Sequence, residues 1–102
     1  GPSPTRLMAA SLASCTAITI GMYADRKGWE IGDLEVAVDF EGMPKGADTA
    51  RFTIRLDLPD DLDEEQVHRI RTVAAKCPVH RTLTGRVEIL IADDAGADEG
   101  RA

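Results

Sequence analysis

Two cysteines are the residues of this chain with the clearest capacity for chemistry. Cys15 lies in a long uncharged segment, and Cys77 lies in the short segment Lys-Cys-Pro-Val-His. Sixty-one residues lie between them, so they form neither a local Cys-x-x-Cys redox motif nor an ordinary zinc knuckle. If the fold brings the two sulfur atoms together, the pair can cycle between two thiols and a disulfide. If it does not, both cysteines are small apolar packing residues.

The two cysteines are expected to have different surroundings. Cys77 precedes Pro78 and is therefore placed to cap a short helix, whose free N–H groups and dipole favour a thiolate. Lys76 and His80 lie nearby in the sequence and act in the same direction. Cys15 has no charged residue within one helical turn of it. Its activation as a nucleophile therefore requires a cation from another element or another subunit.

Other kinds of site have weaker support in the sequence. Cys77 and His80 are half of a zinc ligand set that Cys15 and His68 could complete, but the sequence has no second closely spaced pair. The acidic cluster at 60–65 lacks the ligand spacing and the glycine of a calcium loop, and it is expected to cap a helix. The sequence also has no glycine-rich phosphate loop and no suitably spaced Ser/His/Asp array. No metal or cofactor site is therefore predicted.

The composition indicates one soluble domain over residues 1–92. The chain has 102 residues, of which 43% are hydrophobic and 29% are charged, as is ordinary for a globular protein. A net charge of −6 argues against nucleic acid and anionic membranes as partners, because both attract clustered Lys and Arg. Two cysteines in a chain without an export signal favour the cytoplasm, where a disulfide is transient. Residues 93–102 are predicted to be an acidic flexible tail.

The long uncharged segment predicts a helix that starts with a Ser3 cap and Pro4 and ends near Lys27, before Gly28. Its uncharged part, 7–23, is 17 residues long, which is short of the roughly 20 that a bilayer requires. We therefore expect this helix to lie inside a soluble core. Its buried side is predicted to be the apolar stripe Leu7, Met8, Leu12, Cys15, Ile18, Thr19 and Met22.

The remaining elements complete the order α-β-β-α-α-β. Alternating residues predict strands at 34–41 and 51–58, whose acidic and basic outer faces can pair in an antiparallel hairpin. Asp63 and Gln66 predict a capping box for a helix that ends near Lys76. A short helix at 78–83 and a strand at 86–91 follow. Three short strands cannot cover so long an apolar helix, so a homodimer is expected.

Two segments of the chain resemble the OsmC/Ohr family, named after osmotically inducible protein C and organic hydroperoxide resistance protein. The start of the chain, with the sequence LMAASLASCTA at 7–17, is similar to the beginning of the central helix of that family, and 22–29 is similar to its exit. The sequence AAKCPVHRTL at 74–83 is similar to the second cysteine motif of the family. The resemblance covers about residues 1–91, without the N-terminal strands of the family.

The resemblance implies an α+β fold and an intertwined homodimer, with two central helices between sheets from both subunits and active sites at the interface. It also implies a thiol peroxidase that reduces organic hydroperoxides without a metal or an organic cofactor. Cys15 would be the peroxidatic cysteine, which is oxidised to a sulfenic acid, and Cys77 would be the resolving cysteine. An external dithiol would reduce the resulting disulfide.

One feature departs from the hydroperoxide-resistance branch of the family. That branch activates its thiol with an arginine from the N-terminal sheet region, held by a glutamate ten residues before the peroxidatic cysteine, where this chain has Thr5. Arg6 could supply the cation, although a residue of the first helical turn is expected to be exposed. Two alternatives therefore stay open: a non-catalytic module that binds a small apolar ligand, and a domain whose dimerisation is regulated by the disulfide.

Overall fold

The computed structural model describes residues 3–32, 34–43, 45–46 and 48–93, which form an α+β domain of three helices and a two-stranded antiparallel sheet. The helices are α1 (Pro4–Lys27), α2 (Glu64–Ala74) and α3 (Pro78–Thr84), and the strands are β1 (Glu35–Glu41) and β2 (Arg51–Asp57). The predicted class and the order of the first five elements are confirmed.

The ends of α1 follow the predicted local signals. The Ser3 hydroxyl accepts a hydrogen bond from the Arg6 N–H, and Pro4 fills the first helical position, which needs no N–H partner. At the other end Gly28 has a φ of 71°, a left-handed conformation that ends a helix and that glycine adopts without a Cβ clash. The helix of 24 residues runs between these caps, and β1, α2 and α3 all pack against it.

The side of α1 that faces the domain differs from the predicted one. Its buried residues are Ala9, Leu12, Thr16, Ile20 and Ala24. Much of the predicted stripe is exposed instead, namely Leu7, Met8, Ile18 and Met22. The prediction was wrong because α1 is apolar nearly all round, so its periodicity does not indicate which side packs inward. The small side chains of Ala9 and Ala24 suit the buried side, since they let neighbouring elements approach closely.

The strands β1 and β2 form the predicted hairpin. They pair antiparallel, with Val38 opposite Ile54 at the centre, and their inner faces are half-buried. Their outer faces carry ion pairs between Arg55 and Asp39 and between Arg51 and Glu41, as predicted. Exposed ion pairs contribute little to stability. The backbone ladder therefore holds the two strands together, and the half-buried inner face of β1 packs the hairpin on α1.

The helix α2 closes a core around the C-terminal half of α1. Its predicted capping box is present, because Asp63 and Gln66 each accept a hydrogen bond from the other's backbone N–H. The Arg69 side chain hydrogen-bonds to Glu65, and the interactions of its guanidinium with Tyr23 of α1 and with Glu65 raise the pKa of Arg69. The buried core cluster consists of Ile20, Ala24, Ile31, Ile70 and Ala74.

Truncation of Ile70 is expected to destabilise the protein strongly. Its side chain is 0% exposed, so Ile70→Ala leaves a cavity and lowers the free energy of unfolding by about 2–5 kcal/mol. The control, Ile89→Ala, removes the same atoms from a side chain that is 82% exposed, and its effect is expected to stay within about 0.5 kcal/mol. Urea unfolding at one protein concentration measures both values. Equal losses for the two variants would contradict this packing.

The segment after α3 does not form the predicted strand at 86–91 in the described structure. The residues predicted to point inward are exposed, namely Val87, Ile89 and Ile91. Alternating apolar and polar residues predict which side chains of a strand point inward. A strand also needs a neighbouring strand whose backbone hydrogen-bonds to its own N–H and C=O groups. This segment pairs with neither edge of the β1–β2 sheet, so the prediction was wrong. Residues 94–102 of the predicted acidic tail lie outside the described residues.

The helix α1 is also long and apolar enough to cross a membrane. The core helix of a soluble protein meets the same criterion of length and composition. Here one side of α1 packs against β1, α2 and α3. In the described structure 28% of the apolar window is buried, so α1 is a core helix on this side and exposed on the other.

Candidate functional site

The fold brings the two cysteine segments together. Cys77 Sγ lies 3.8 Å from the Oγ1 atom of Thr16, which directly follows Cys15 on α1. Pro78, which directly follows Cys77, lines the same groove as Cys15. Both cysteines are free thiols in the structure. The two segments are therefore neighbours in space.

Cys77 is a fully buried cap of α3. It is 0% exposed, and its Sγ accepts a hydrogen bond of 3.2 Å from the backbone N–H of His80. Its backbone is extended and Pro78 begins the helix, so the predicted capping role is confirmed. The sulfur therefore lies between a backbone donor of α3 and the Thr16 hydroxyl of α1.

Thr16 was not among the predicted site residues, although the sequence contains a signal for it. It lies four residues from both Leu12 and Ile20, so it is a polar side chain on a stripe that is otherwise apolar. A buried hydroxyl needs a hydrogen-bond partner. The sequence could not show that this partner is the sulfur of Cys77, because the contact depends on how α3 packs on α1.

Cys15 is partly exposed, on the side of α1 that faces away from the core. It lines a groove together with Leu7, Ala10, Ser11, Ser14, Ile18, Thr19, Met22 and Pro78. The described lining is apolar with a few hydroxyl groups and carries no charge. Such a surface suits an apolar molecule, but it does not provide a cation for the Cys15 thiolate. Arg6 is exposed in the first turn of α1 and does not line this groove.

A second cavity, of about 550 Å³, lies between α1, β2 and α3. Its wall includes Leu12, Phe52 and His80. The Nδ1 atom of His80 is buried and has no hydrogen-bond partner among the described residues. The hydrogen bond from His80 to Cys77 comes from the backbone. The expected interaction of the His80 side chain with Cys77 is therefore not seen in the described structure, and the bond between the two residues is one that the main chain makes.

The possible zinc ligand set is not assembled in the described part of the chain. No three His, Cys, Asp or Glu side chains of these residues are placed to hold a metal ion. His68 is exposed on α2. It therefore does not join Cys15, Cys77 and His80 in one site.

Several known proteins are similar to this chain. The family model for OsmC-like proteins matches residues 1–92. The OsmC-like protein of Mycoplasma pneumoniae has a TM-score of 0.71 and 26% identity, over 83% of this chain and 64% of that one. A Psychrobacter arcticus protein described as an osmotic stress-induced and detoxification response protein has a TM-score of 0.64 and 30% identity, over 78% and 58%. The organic hydroperoxide resistance protein OhrB of Bacillus subtilis shares the fold, with a TM-score of 0.59 and 24% identity over 86% and 67%.

These comparisons place the chain in a family. The chain spans 58% to 67% of the length of the three solved structures. None of the curated proteins matches it. OsmC-like proteins are generally soluble, which agrees with α1 as a core helix. Because the family model matches residues 1–92, the chain belongs to the OsmC-like protein family, as its two cysteine segments predicted.

Proposed function

We propose that this protein is a thiol-dependent peroxidase that reduces organic hydroperoxides through Cys15 and Cys77. The observation that carries the proposal is the packing of the Cys77 segment on α1, directly beside Cys15. The family agrees with it, since one structure with the same fold is named an organic hydroperoxide resistance protein. The contact between α1 and α3 supports a redox pair independently of the family.

The proposed cycle has three steps. The Cys15 thiolate attacks the O–O bond of the hydroperoxide, which yields a sulfenic acid on Cys15 and releases the alcohol. The thiol of Cys77 then attacks the sulfenic sulfur, so that a disulfide forms and water leaves. An external dithiol reduces this disulfide and is itself oxidised to a disulfide, which returns both cysteines to thiols.

The groove beside Cys15 favours an organic peroxide over hydrogen peroxide. Its described lining is mainly aliphatic, with Leu7, Ile18 and Met22 along one side of α1. An alkyl or aryl group gains free energy when it leaves water for such a surface, whereas hydrogen peroxide has no apolar group to bury. We therefore assign the groove to the organic part of the substrate.

The proposed enzyme is a cytoplasmic homodimer. The described residues around Cys15 supply no cation, and the groove lies on the exposed apolar side of α1. A second copy that packs on this side beside the groove could bring a basic side chain to the thiolate, with the groove at Cys15 left open to peroxide and reductant. The two free cysteines and the need for a dithiol reductant favour a reducing compartment.

The uncharged groove also favours a second candidate, a non-catalytic module that binds a small apolar ligand. A thiol without a cation nearby is a weak nucleophile at neutral pH, whereas an apolar groove binds a ligand without any chemistry. In that case Cys15 and Cys77 are packing residues. Peroxide turnover separates the two candidates.

The wild-type protein is expected to consume cumene hydroperoxide continuously in the presence of a dithiol. Without the dithiol, one equivalent of peroxide should leave a Cys15–Cys77 disulfide, which peptide mapping identifies. Hydrogen peroxide serves as the matched control and is expected to react more slowly, because it cannot use the apolar groove. A folded wild-type protein that neither turns over nor forms the disulfide would refute the peroxidase and support the binding module.

A further inference from the structure

We propose that Thr16 positions Cys77 as the leaving group when the disulfide is reduced, so that the reductant attacks the sulfur of Cys15. The proposal rests on the peroxidase cycle above and adds which of the two disulfide sulfur atoms the reductant attacks. Three observations carry it, namely the Thr16 hydroxyl, the His80 N–H and the unequal exposure of the cysteines.

The hydroxyl of Thr16 is used in an unusual way for a helical threonine. In α2 and α3 the threonines at 72, 82 and 84 each donate to a carbonyl oxygen four residues earlier in their own helix. Thr16 is 0% exposed, and the contact of its hydroxyl in the described structure is to Cys77 Sγ, at 3.8 Å. Its polar atom is therefore directed across the α1–α3 contact at the sulfur.

The Cys77 sulfur has two potential hydrogen-bond donors in a buried place. The backbone N–H of His80 donates to it at 3.2 Å, and the Thr16 O–H can rotate to donate as well. Hydrogen bonds to a charged acceptor are stronger than those to a neutral one, so both donors strengthen as negative charge develops on the Cys77 sulfur while the S–S bond breaks. A thiolate that is stabilised in this way leaves a disulfide faster.

Access to the two cysteines leads to the same assignment. Cys77 is 0% exposed, whereas Cys15 is partly exposed and lines the open groove. An external thiolate can approach the sulfur of Cys15 from the groove, but it cannot approach Cys77 without movement of α3. Cys15 is therefore the sulfur that the reductant can reach, and Cys77 is the sulfur whose surroundings make it the better leaving group.

The reduction is then ordered. One thiolate of the dithiol attacks Cys15 Sγ, the S–S bond breaks, and Cys77 leaves as a thiolate that receives the two hydrogen bonds. The second thiol of the dithiol then attacks the dithiol sulfur that is bonded to Cys15. This step releases Cys15 and yields the oxidised dithiol. Two electrons pass from the dithiol to the protein, and the two thiol protons end on Cys15 and Cys77.

The test uses glutathione, a monothiol, because its first attack on the disulfide gives a mixed disulfide that can be trapped. The wild-type protein is oxidised with diamide, treated with glutathione, quenched in acid and mapped for the mixed disulfide. Glutathione is expected on Cys15. Thr16→Val keeps the shape but removes the hydroxyl, so it should slow this step about 5- to 10-fold and reduce the selectivity. Thr16→Ser should restore both, and Thr72→Val, which removes a hydroxyl that bonds to its own helix, should change neither.

The outcomes separate this proposal from the one on which it rests. Glutathione on Cys77 of the wild-type protein, or equal rates for Thr16→Val and Thr16→Ser, would overturn the role of Thr16 and leave the peroxidase intact. A folded protein in which diamide forms no Cys15–Cys77 disulfide would overturn both. If Thr16→Val does not fold, the mapping on wild-type protein still decides which sulfur is attacked.

Discussion

Cys15→Ser is expected to abolish peroxide reduction from the first equivalent, whereas Cys77→Ser is expected to reduce one equivalent and then stop. The thiolate is the form of cysteine that attacks the O–O bond, and a serine hydroxyl is a far weaker nucleophile at neutral pH. Cys15 is the cysteine that reaches the groove, so its loss should lower the rate by at least about 10³-fold. Without Cys77 the first step is intact, but the sulfenic acid on Cys15 has no resolving partner.

A stoichiometric experiment shows this asymmetry more clearly than steady-state turnover. Each variant is mixed with two equivalents of cumene hydroperoxide without reductant, and the remaining peroxide is measured over time. A sulfenic acid probe should label Cys15 of the Cys77→Ser variant and should leave the Cys15→Ser variant unlabelled. The two variants are matched controls, since each replaces one sulfur atom with oxygen. Peroxide consumption by Cys15→Ser would refute the assignment of the attacking thiol.

Local signals made much of this fold predictable. The Ser3 cap, Pro4 and Gly28 bound α1, and the capping box at Asp63 starts α2, as the sequence predicted. Each of these signals acts through hydrogen bonds or dihedral angles within a few residues, so no knowledge of the distant chain is needed. The same holds for Cys77, whose capping position follows from the proline after it.

The features that were not predictable depend on distant partners. The buried side of α1 could not be chosen because the helix is apolar nearly all round, and the structure buries the side with Thr16 and Ile20. The segment with Val87 and Ile89 alternates like a strand, but its sequence does not show whether another strand lies beside it. The contact of Thr16 with Cys77 likewise results from packing of α3 on α1. In each case the local pattern is satisfied by more than one arrangement.

The exposed side of α1 is the surface on which the proposed dimer depends. Leu7, Ile18 and Met22 are 53%, 59% and 63% exposed, and they lie along the groove that contains Cys15. A row of large exposed apolar side chains on one helix is costly in water and is typical of an interaction surface. In a symmetric dimer the same surface is used by both copies, so one substitution acts twice at the interface.

Ile18→Asp is therefore expected to separate the dimer into monomers. A carboxylate buried without a partner on each side of the interface should raise the dissociation constant by about 100-fold or more. Thr72→Asp is the control, since it adds the same charge to an exposed position of α2. Sedimentation at several concentrations measures the masses, in reducing and in oxidising buffer. A wild-type monomer in both buffers would refute the dimer, and a dimer in only one would favour disulfide-regulated assembly.

Activity of the Ile18→Asp monomer then tests where the activating cation originates. The described residues place no charge beside Cys15, so the peroxidase requires a basic group from elsewhere, which the proposal assigns to the second copy. Because Ile18 also lines the groove assigned to the organic part of the substrate, turnover is measured with hydrogen peroxide as well as with cumene hydroperoxide. Loss of the cation should abolish turnover of both peroxides, whereas a damaged groove should slow only the organic one, and an alkylating reagent should still reach Cys15. Full turnover by a monomer would show that the cation comes from within one chain, and the active site would not need the interface.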